Sequence, residues 1–157
     1  MPRKPVKTHL PAVSAPLEWA TTADGILYTA QIPNREDGSI ETGDIRVQAQ
    51  LTLDNLRRTV EAAGGSMADV TQVLVYLPDP LDFAGMNEIY AKAFQPPYPN
   101  RATIVASLMV PGARIEVVAY AHVGQRAGAR ATAARPKAKA RKRPAPKRPK
   151  KRAGRRR

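Results

Sequence analysis

The first part of the chain contains two short stretches with the composition of β-strands. Residues 26–32 (ILYTAQI) form the clearer run, and it stops at Pro33. Residues 17–22 (LEWATT) are a weaker strand candidate, and the Asp24-Gly25 pair between the two stretches is a typical hairpin turn. The pattern predicts a β-hairpin, followed by a turn-rich connection over residues 34–43.

From Asp44 onward the hydrophobic period becomes that of a helix. Apolar side chains recur at spacings of three and four residues, which places them on one helix face. They are Ile45, Ala49, Leu53, Leu56, Val60 and Ala63. Asp44 can cap the start of this helix, and Gly64-Gly65 can end it.

The rest of the pattern predicts three more strands and a second helix. Strands are expected over residues 70–77, 102–110 and 113–123, and a helix is expected over residues 81–94. The resulting order, ββαβαββ, indicates an α+β fold in which two helices cover one face of a sheet. The other face of the last strand is partly apolar, so we expect the sheet to pack against copies of itself.

The charges divide the chain into two unequal parts. All 13 acidic residues precede residue 117, whereas 16 of the 26 lysines and arginines lie in residues 126–157. The net charge of +13 is therefore −3 for residues 1–125 and +16 for the remainder. We expect a basic N-terminal arm at residues 1–9, which we take to be loose, a domain at residues 10–124 and a tail at residues 125–157.

The tail composition predicts disorder and binding to polyanions. Residues 126–157 consist of Arg, Lys, Ala, Pro, Gly and one Thr, which cannot form a core. The composition is similar to that of linker-histone-like tails. It indicates sequence-independent nucleic-acid binding through phosphate neutralisation. A solubilising role and a nuclear localisation signal are the alternatives.

Some classes of function are disfavoured by what the sequence lacks. It has no cysteine, which removes disulfides, thiolate metal sites and thiol nucleophiles. The histidines, His9 and His122, are isolated from carboxylate clusters, so we expect no metal. No apolar run is long enough to span a membrane, and we expect a cytoplasmic protein with possible access to the nucleoid.

Several segments together match one family pattern. They are residues 27–33 (LYTAQIP), 43–45 (GDI), 50–56 (QLTLDNL), 61–64 (EAAG), 82–94 (DFAGMNEIYAKAF), 99–103 (PNRAT) and 112–117 (GARIEV). In this order the chain resembles the RidA/YjgF reactive-intermediate deaminase family over about residues 14–124. The stretch from Pro99 to Val117 resembles the family signature and is the most specific part.

The resemblance implies a fold, an assembly and a reaction. It implies a chorismate-mutase-like α+β fold and a homotrimer with active sites in the clefts between subunits. The implied reaction is hydrolysis of 2-imino or enamine acids to 2-oxo acids and ammonia, without a metal or organic cofactor.

The resemblance also assigns site residues. Arg101 matches the arginine that binds the substrate carboxylate, for which a planar guanidinium is well suited. Glu116 matches the catalytic glutamate, which would direct a water molecule and move protons. Thr103, Asn87 and Ala30 match positions that line the pocket. Arg101, Glu116, Thr103 and Asn87 each have a structural alternative, which for Glu116 is an ion pair with Arg114 or Arg101.

Two residues depart from the family pattern. Ala30 stands where the family usually has glycine, and Leu17 follows Pro16 where many deaminases have tyrosine. A non-catalytic, trimeric nucleic-acid-associated protein with a vestigial or ligand-sensing pocket is therefore the alternative interpretation. Ribonuclease activity is disfavoured because the sequence shows no histidine pair or metal cluster.

Overall fold

The protein is a mixed α+β domain with one six-stranded sheet and two helices. The computed structural model describes residues 2–124, and the predicted tail lies outside them. The strands are β1 (Lys4–Pro5), β2 (Ala20–Ala23), β3 (Ile26–Gln31), β4 (Val70–Leu77), β5 (Asn100–Val105) and β6 (Glu116–His122). The helices are α1 (Ile45–Ala62) and α2 (Phe83–Ala93), and short 3-10 turns at Met67–Asp69 and Pro80–Asp82 precede β4 and α2. The predicted fold class is confirmed.

The sheet combines antiparallel pairs with one parallel pair. Its strand order is β1-β2-β3-β6-β4-β5. Only β4 and β5 are parallel among the described strands, and α2 supplies the crossover between them, whereas the other neighbours are antiparallel. Strand β5 is therefore an edge strand, and β6 lies in the middle of the sheet.

Helix α1 begins and ends where the sequence predicts. The Asp44 carboxylate accepts hydrogen bonds from the backbone N–H groups of Arg46 and Val47, at 2.9 and 3.1 Å. The helix ends before Gly64, whose φ of 86° is a conformation that favours glycine. Gly85 brings α2 close to α1, because a Cβ there would lie 2.7 Å from the Ile45 side chain.

The hydrophobic core lies between the helices and one face of the sheet. Its fully buried members come from α1, α2 and the three central strands; they include Leu27, Leu53, Leu56, Val73, Val75, Met86 and Val117. The opposite face carries no helix among the described residues. This open face presents Tyr28 and Tyr120 in an edge-to-face contact, with ring centroids 5.5 Å apart.

The structure differs from the sequence prediction at several places. The N-terminal arm is not loose, because Lys4–Pro5 form β1 and the Val6 N–H donates to the carbonyl of Ala20 at 3.0 Å. Strand β5 ends at Val105 instead of residue 110, and β6 starts at Glu116 instead of residue 113. The loop between them is held by hydrogen bonds from Gln48 of α1 and by Asp82 of the 3-10 turn before α2.

Candidate active site

Arg101 lies on edge strand β5 and its side chain rests on two aromatic rings of α2. Its Cζ is 4.5 Å from the centroid of the Tyr90 ring and 5.8 Å from that of Phe83. In the β4–β5 register Arg101 lies opposite Val73, a core residue, so its side chain is on the helix-covered side of the sheet. Within residues 2–124 it makes no ion pair, which leaves its N–H donors available to a ligand.

A cleft of about 400 Å³ opens beside Arg101. Its walls come from α2 and from the segment that leads into β5, namely Asn87, Tyr90, Ala91, Tyr98, Pro99 and Arg101. The structure thus brings together two of the predicted site residues, Arg101 and Asn87. Most of the remaining wall is apolar, which suits a small organic acid bound through its carboxylate.

Thr103 lies on the same side of β5 as Arg101. Successive side chains of a strand alternate between its faces, so residues 101 and 103 share one face. The Thr103 hydroxyl is buried and has no hydrogen-bond partner among the described residues. Thr103 does not itself line the cleft at Arg101, so its role in the pocket wall stays a prediction.

Glu116 lies on the open face, away from Arg101. It is opposite Tyr76 of β4, three residues beyond Val73, and an odd separation along a strand reverses the face. Strands β5 and β6 are also separated by β4, which puts the two residues ~10 Å apart across the sheet and ~10 Å apart along it. One protomer therefore does not bring Arg101 and Glu116 to the same small ligand.

Neither structural alternative for Glu116 is seen. Arg114 instead forms a two-pronged ion pair with the buried Asp82, at 2.9 and 2.6 Å. Glu116 has no ion pair within the described part of the chain and remains half-buried at the start of β6.

Two residues that the sequence did not single out fix the loop before Glu116. The Gln48 side chain of α1 accepts a hydrogen bond from the Arg114 N–H at 2.7 Å and donates one to the Gly112 carbonyl at 2.9 Å. Asp82 holds the Arg114 guanidinium from the start of α2. A polar residue among the apolar positions of α1 is a weak signal, so Gln48 was hard to find from sequence.

The two departures from the family pattern lie away from the Arg101 cleft. Ala30 is on the open face, in register with Val118, which is two residues from Glu116. Leu17 is 54% exposed and lines a separate surface depression with Arg3, Pro16 and Glu18. Within one protomer, Ala30 therefore lies on the same face of the sheet as Glu116. Neither Ala30 nor Leu17 narrows the cleft at Arg101.

Burial makes Tyr90 a very weak acid. Loss of solvent raises the pKa of the Tyr90 phenol to about 12, although the neighbouring Arg101 cation opposes part of that rise. The ring beneath Arg101 is therefore neutral over the physiological range of pH.

The described residues show no metal-binding cluster. Across residues 2–124 no three His, Asp or Glu side chains come together in a way that could hold a metal ion. His9 lies against α1, with its Nε2 3.0 Å from the Asn55 Oδ1, and His122 is exposed on β6. None of the described helices is long and apolar enough to cross a bilayer.

The fold and the arginine cleft define a small α+β protein of a known family. The family model described as endoribonuclease L-PSP matches residues 7–123. The chain belongs to this family, which is the RidA/YjgF family indicated by its sequence. The match covers the domain and excludes the basic tail.

Solved structures agree with the family assignment. A protein from Entamoeba histolytica described as an endoribonuclease L-PSP is 31% identical, with a TM-score of 0.72 over 77% of this chain and 99% of its own. TdcF from E. coli with bound serine is 30% identical, with a TM-score of 0.70 over 76% of this chain and 98% of its own. RidA from the Antarctic bacterium Psychrobacter sp. PAMC 21119 is 27% identical, with a TM-score of 0.71 over 76% and 99%.

Proposed function

We propose that the protein is a deaminase that hydrolyses small 2-imino or enamine acids to 2-oxo acids and ammonia. The observation that carries this proposal is the Arg101 guanidinium, which makes no ion pair within residues 2–124 and lies at the wall of an otherwise mostly apolar cleft. A carboxylate offers such a guanidinium two parallel charge-assisted hydrogen bonds. The bound serine in TdcF is also a small carboxylate, which supports a ligand of this class.

The proposed reaction needs Glu116 from a second copy of the chain. Because Arg101 and Glu116 occupy opposite faces of the sheet, a complete site requires the open face of one protomer to lie near the β5 edge of another. The open face carries the apolar and aromatic side chains expected of such an interface. We propose a homotrimer, the usual assembly of the family, with three sites between subunits.

The chemistry then follows from the two groups. Arg101 fixes the substrate carboxylate, and Glu116 accepts a proton from a water molecule as the water oxygen bonds to the imine carbon. The carbon–nitrogen double bond becomes single, and the proton held by Glu116 passes to the nitrogen. The proton of the new hydroxyl group then passes to the same nitrogen, with Glu116 as the carrier, while the carbon–nitrogen bond breaks. Ammonia leaves, and the carbon–oxygen bond becomes double, which gives the 2-oxo acid. The imine and one water are thus converted into the 2-oxo acid and one ammonia.

Ammonia release from freshly generated 2-iminobutanoate tests this proposal. Arg101→Ala removes the carboxylate anchor, so kcat/KM is expected to fall by at least about a hundredfold, since charged hydrogen bonds contribute roughly 1.5–3 kcal/mol each. Glu116→Gln keeps the side-chain shape but removes the base. Its loss is expected mainly in kcat, by roughly 10²–10⁴-fold, with binding of 2-oxobutanoate almost unchanged.

Two surface substitutions on α1 serve as matched controls. Arg57→Ala and Glu61→Gln change the same residue types at exposed positions and are expected to keep the wild-type rate. If the wild-type protein releases ammonia no faster than buffer, the deaminase proposal is wrong. The non-catalytic alternative, a trimer that presents its tails to nucleic acid, would then be favoured.

For the tail we propose sequence-independent binding to nucleic acid. This proposal is supported by the sequence alone, namely by 16 positive charges and no acid in residues 126–157. These residues lie outside the described part of the chain.

A further inference from the structure

Arg101 is restrained by two aromatic rings and by no acidic residue within residues 2–124. A long side chain must be restrained to present both arms of its guanidinium to a carboxylate, and a nearby acid often provides the restraint. An acid would also occupy the N–H donors that the substrate needs. An aromatic ring restrains the guanidinium through its flat face and leaves the in-plane donors free.

We infer that Tyr90, assisted by Phe83, is a positioning residue that holds the Arg101 guanidinium ready for the substrate carboxylate. This inference rests on the proposed function, and it adds the residues that hold the Arg101 side chain in place. Its basis is the pair of ring contacts at 4.5 and 5.8 Å and the lack of an ion pair for Arg101 within residues 2–124.

The Tyr90 ring is itself firmly placed. Tyr90 is only 5% exposed, and its ring packs against Phe94 with centroids 4.6 Å apart. The Tyr90 hydroxyl is buried and makes no hydrogen bond in the described part of the chain. The ring face is therefore the part of Tyr90 that acts on Arg101, and the hydroxyl is dispensable for that role.

Helix spacing places the supporting residues in one stripe. Phe83, Asn87 and Tyr90 follow each other at intervals of four and three, which puts them on the same side of α2. That side faces the start of β5, so one rigid helix supplies both rings under Arg101 and the amide beside it.

The test compares four variants of the full-length protein. Tyr90→Phe keeps the ring, Tyr90→Leu removes its π face, and Phe83→Leu removes the more distant ring at a 43% exposed position that tolerates change. Tyr90→Phe is therefore the matched control for Tyr90→Leu, and Phe94→Leu removes the ring that packs against Tyr90. Titration calorimetry with 2-oxobutanoate gives the Kd, and ammonia release gives KM and kcat.

Loss of the Tyr90 ring is expected to weaken binding selectively. Tyr90→Leu is expected to raise Kd and KM by roughly 2- to 30-fold, the range for a cation–π contact, with kcat changed less than about twofold. Phe83→Leu is expected to have a smaller effect in the same direction, and Tyr90→Phe should match the wild type. Equal Kd values for Tyr90→Leu and wild type, or a rise in Tyr90→Phe as large as that in Tyr90→Leu, would overturn the inference.

A second measurement separates this inference from the proposed function. The NMR order parameter of the Arg101 Nε–H bond is expected to be high in the wild type and in Tyr90→Phe, and low in Tyr90→Leu. If the wild type binds no 2-oxo acid, the proposed function fails, and the order parameter still decides whether Tyr90 restrains Arg101. Equal order in all variants overturns the positioning role even if catalysis is observed.

Discussion

At the residue scale, the candidate site depends on how individual charges are partnered. Arg114 is paired with Asp82, whereas Arg101 is stacked on Tyr90 and makes no ion pair within residues 2–124. The two arginines are thirteen positions apart in the signature stretch and have different environments. Arg114 stabilises the loop before β6, and Arg101 is available to a ligand.

The pKa of Tyr90 predicts an alkaline loss of stability. The folded protein keeps the phenol proton up to about pH 12, whereas the unfolded chain releases it near pH 10. Below pH 10 Tyr90 is protonated in both the folded and the unfolded state, so the two states bind the same number of protons there. Between pH 10 and 12 the unfolded state binds fewer protons, so the stability of the wild type falls as pH rises.

Tyr90→Phe should lack this decline. From pH 10 to 12 the free energy of unfolding of the wild type is expected to fall, relative to that of Tyr90→Phe, by at most about 2 kcal/mol. Urea unfolding at pH 9, 10, 11 and 12 measures it, and the other tyrosines are common to both proteins. Parallel stability curves over this range would contradict the assigned environment of Tyr90.

One protomer brings together only some of the residues that the sequence motif assigns to a site. Arg101 and Asn87 do share a cleft, as the motif indicates. The separation of Glu116 from Arg101 follows from strand register, and a single sequence specifies register only through the hydrophobic pattern. The role of Tyr90 could not be predicted, since nothing local in the sequence shows that an arginine from β5 lies over its ring.

At the element scale, the helices were predicted more closely than the strands. Helix α1 has a cap, a regular apolar stripe and a terminating glycine, which are all local signals. Strand β5 was predicted to end five residues too late because Ala106–Val110 is mostly apolar, but its pairing with β4 ends at Val105. Strand ends depend on pairing with distant residues, which composition does not show.

The Asp44 cap gives a prediction for α1. Asp44→Ala leaves two backbone N–H groups at the helix start without their acceptor, and it is expected to lower the free energy of unfolding by about 0.5–2 kcal/mol. Asp44→Asn retains an acceptor oxygen and should cost much less. Thermal and urea unfolding of both variants measure the difference, and equal losses for Ala and Asn would show that the cap is unimportant.

At the scale of the whole molecule, the opposite placement of Arg101 and Glu116 predicts complementation between inactive variants. In an equal mixture of Arg101→Ala and Glu116→Gln protomers, half supply the arginine and half the glutamate. About one interface in four is then complete. Co-refolded mixtures are expected to recover up to about a quarter of the wild-type ammonia release.

Each variant refolded alone is the control for this experiment, and it should remain inactive. A mixture as inactive as its components would place both residues in one protomer's site and contradict the geometry of the sheet. Sedimentation of the same samples tests the proposed trimer independently, because a monomer at micromolar concentration has no interface at which sites could form.

The position of the C-terminal end of the domain predicts that tail and site act separately. The N–H groups of Val123 and Gly124 both donate to the Gly25 carbonyl, at 2.8 and 3.1 Å, beside the β2–β3 turn. Glu116 is at the other end of β6, ~25 Å from Gly124 at the rise of an extended strand. Truncation after Gly124 is therefore expected to leave kcat unchanged while it removes nucleic-acid binding.

Binding of full-length protein to duplex DNA and RNA should show little sequence preference and weaken steeply with salt, with a slope of about −0.9 per phosphate contacted on B-DNA. Fluorescence anisotropy from 50 to 200 mM salt measures that slope; a salt-independent affinity, or full binding by the truncated protein, would show that the tail is not the binding element.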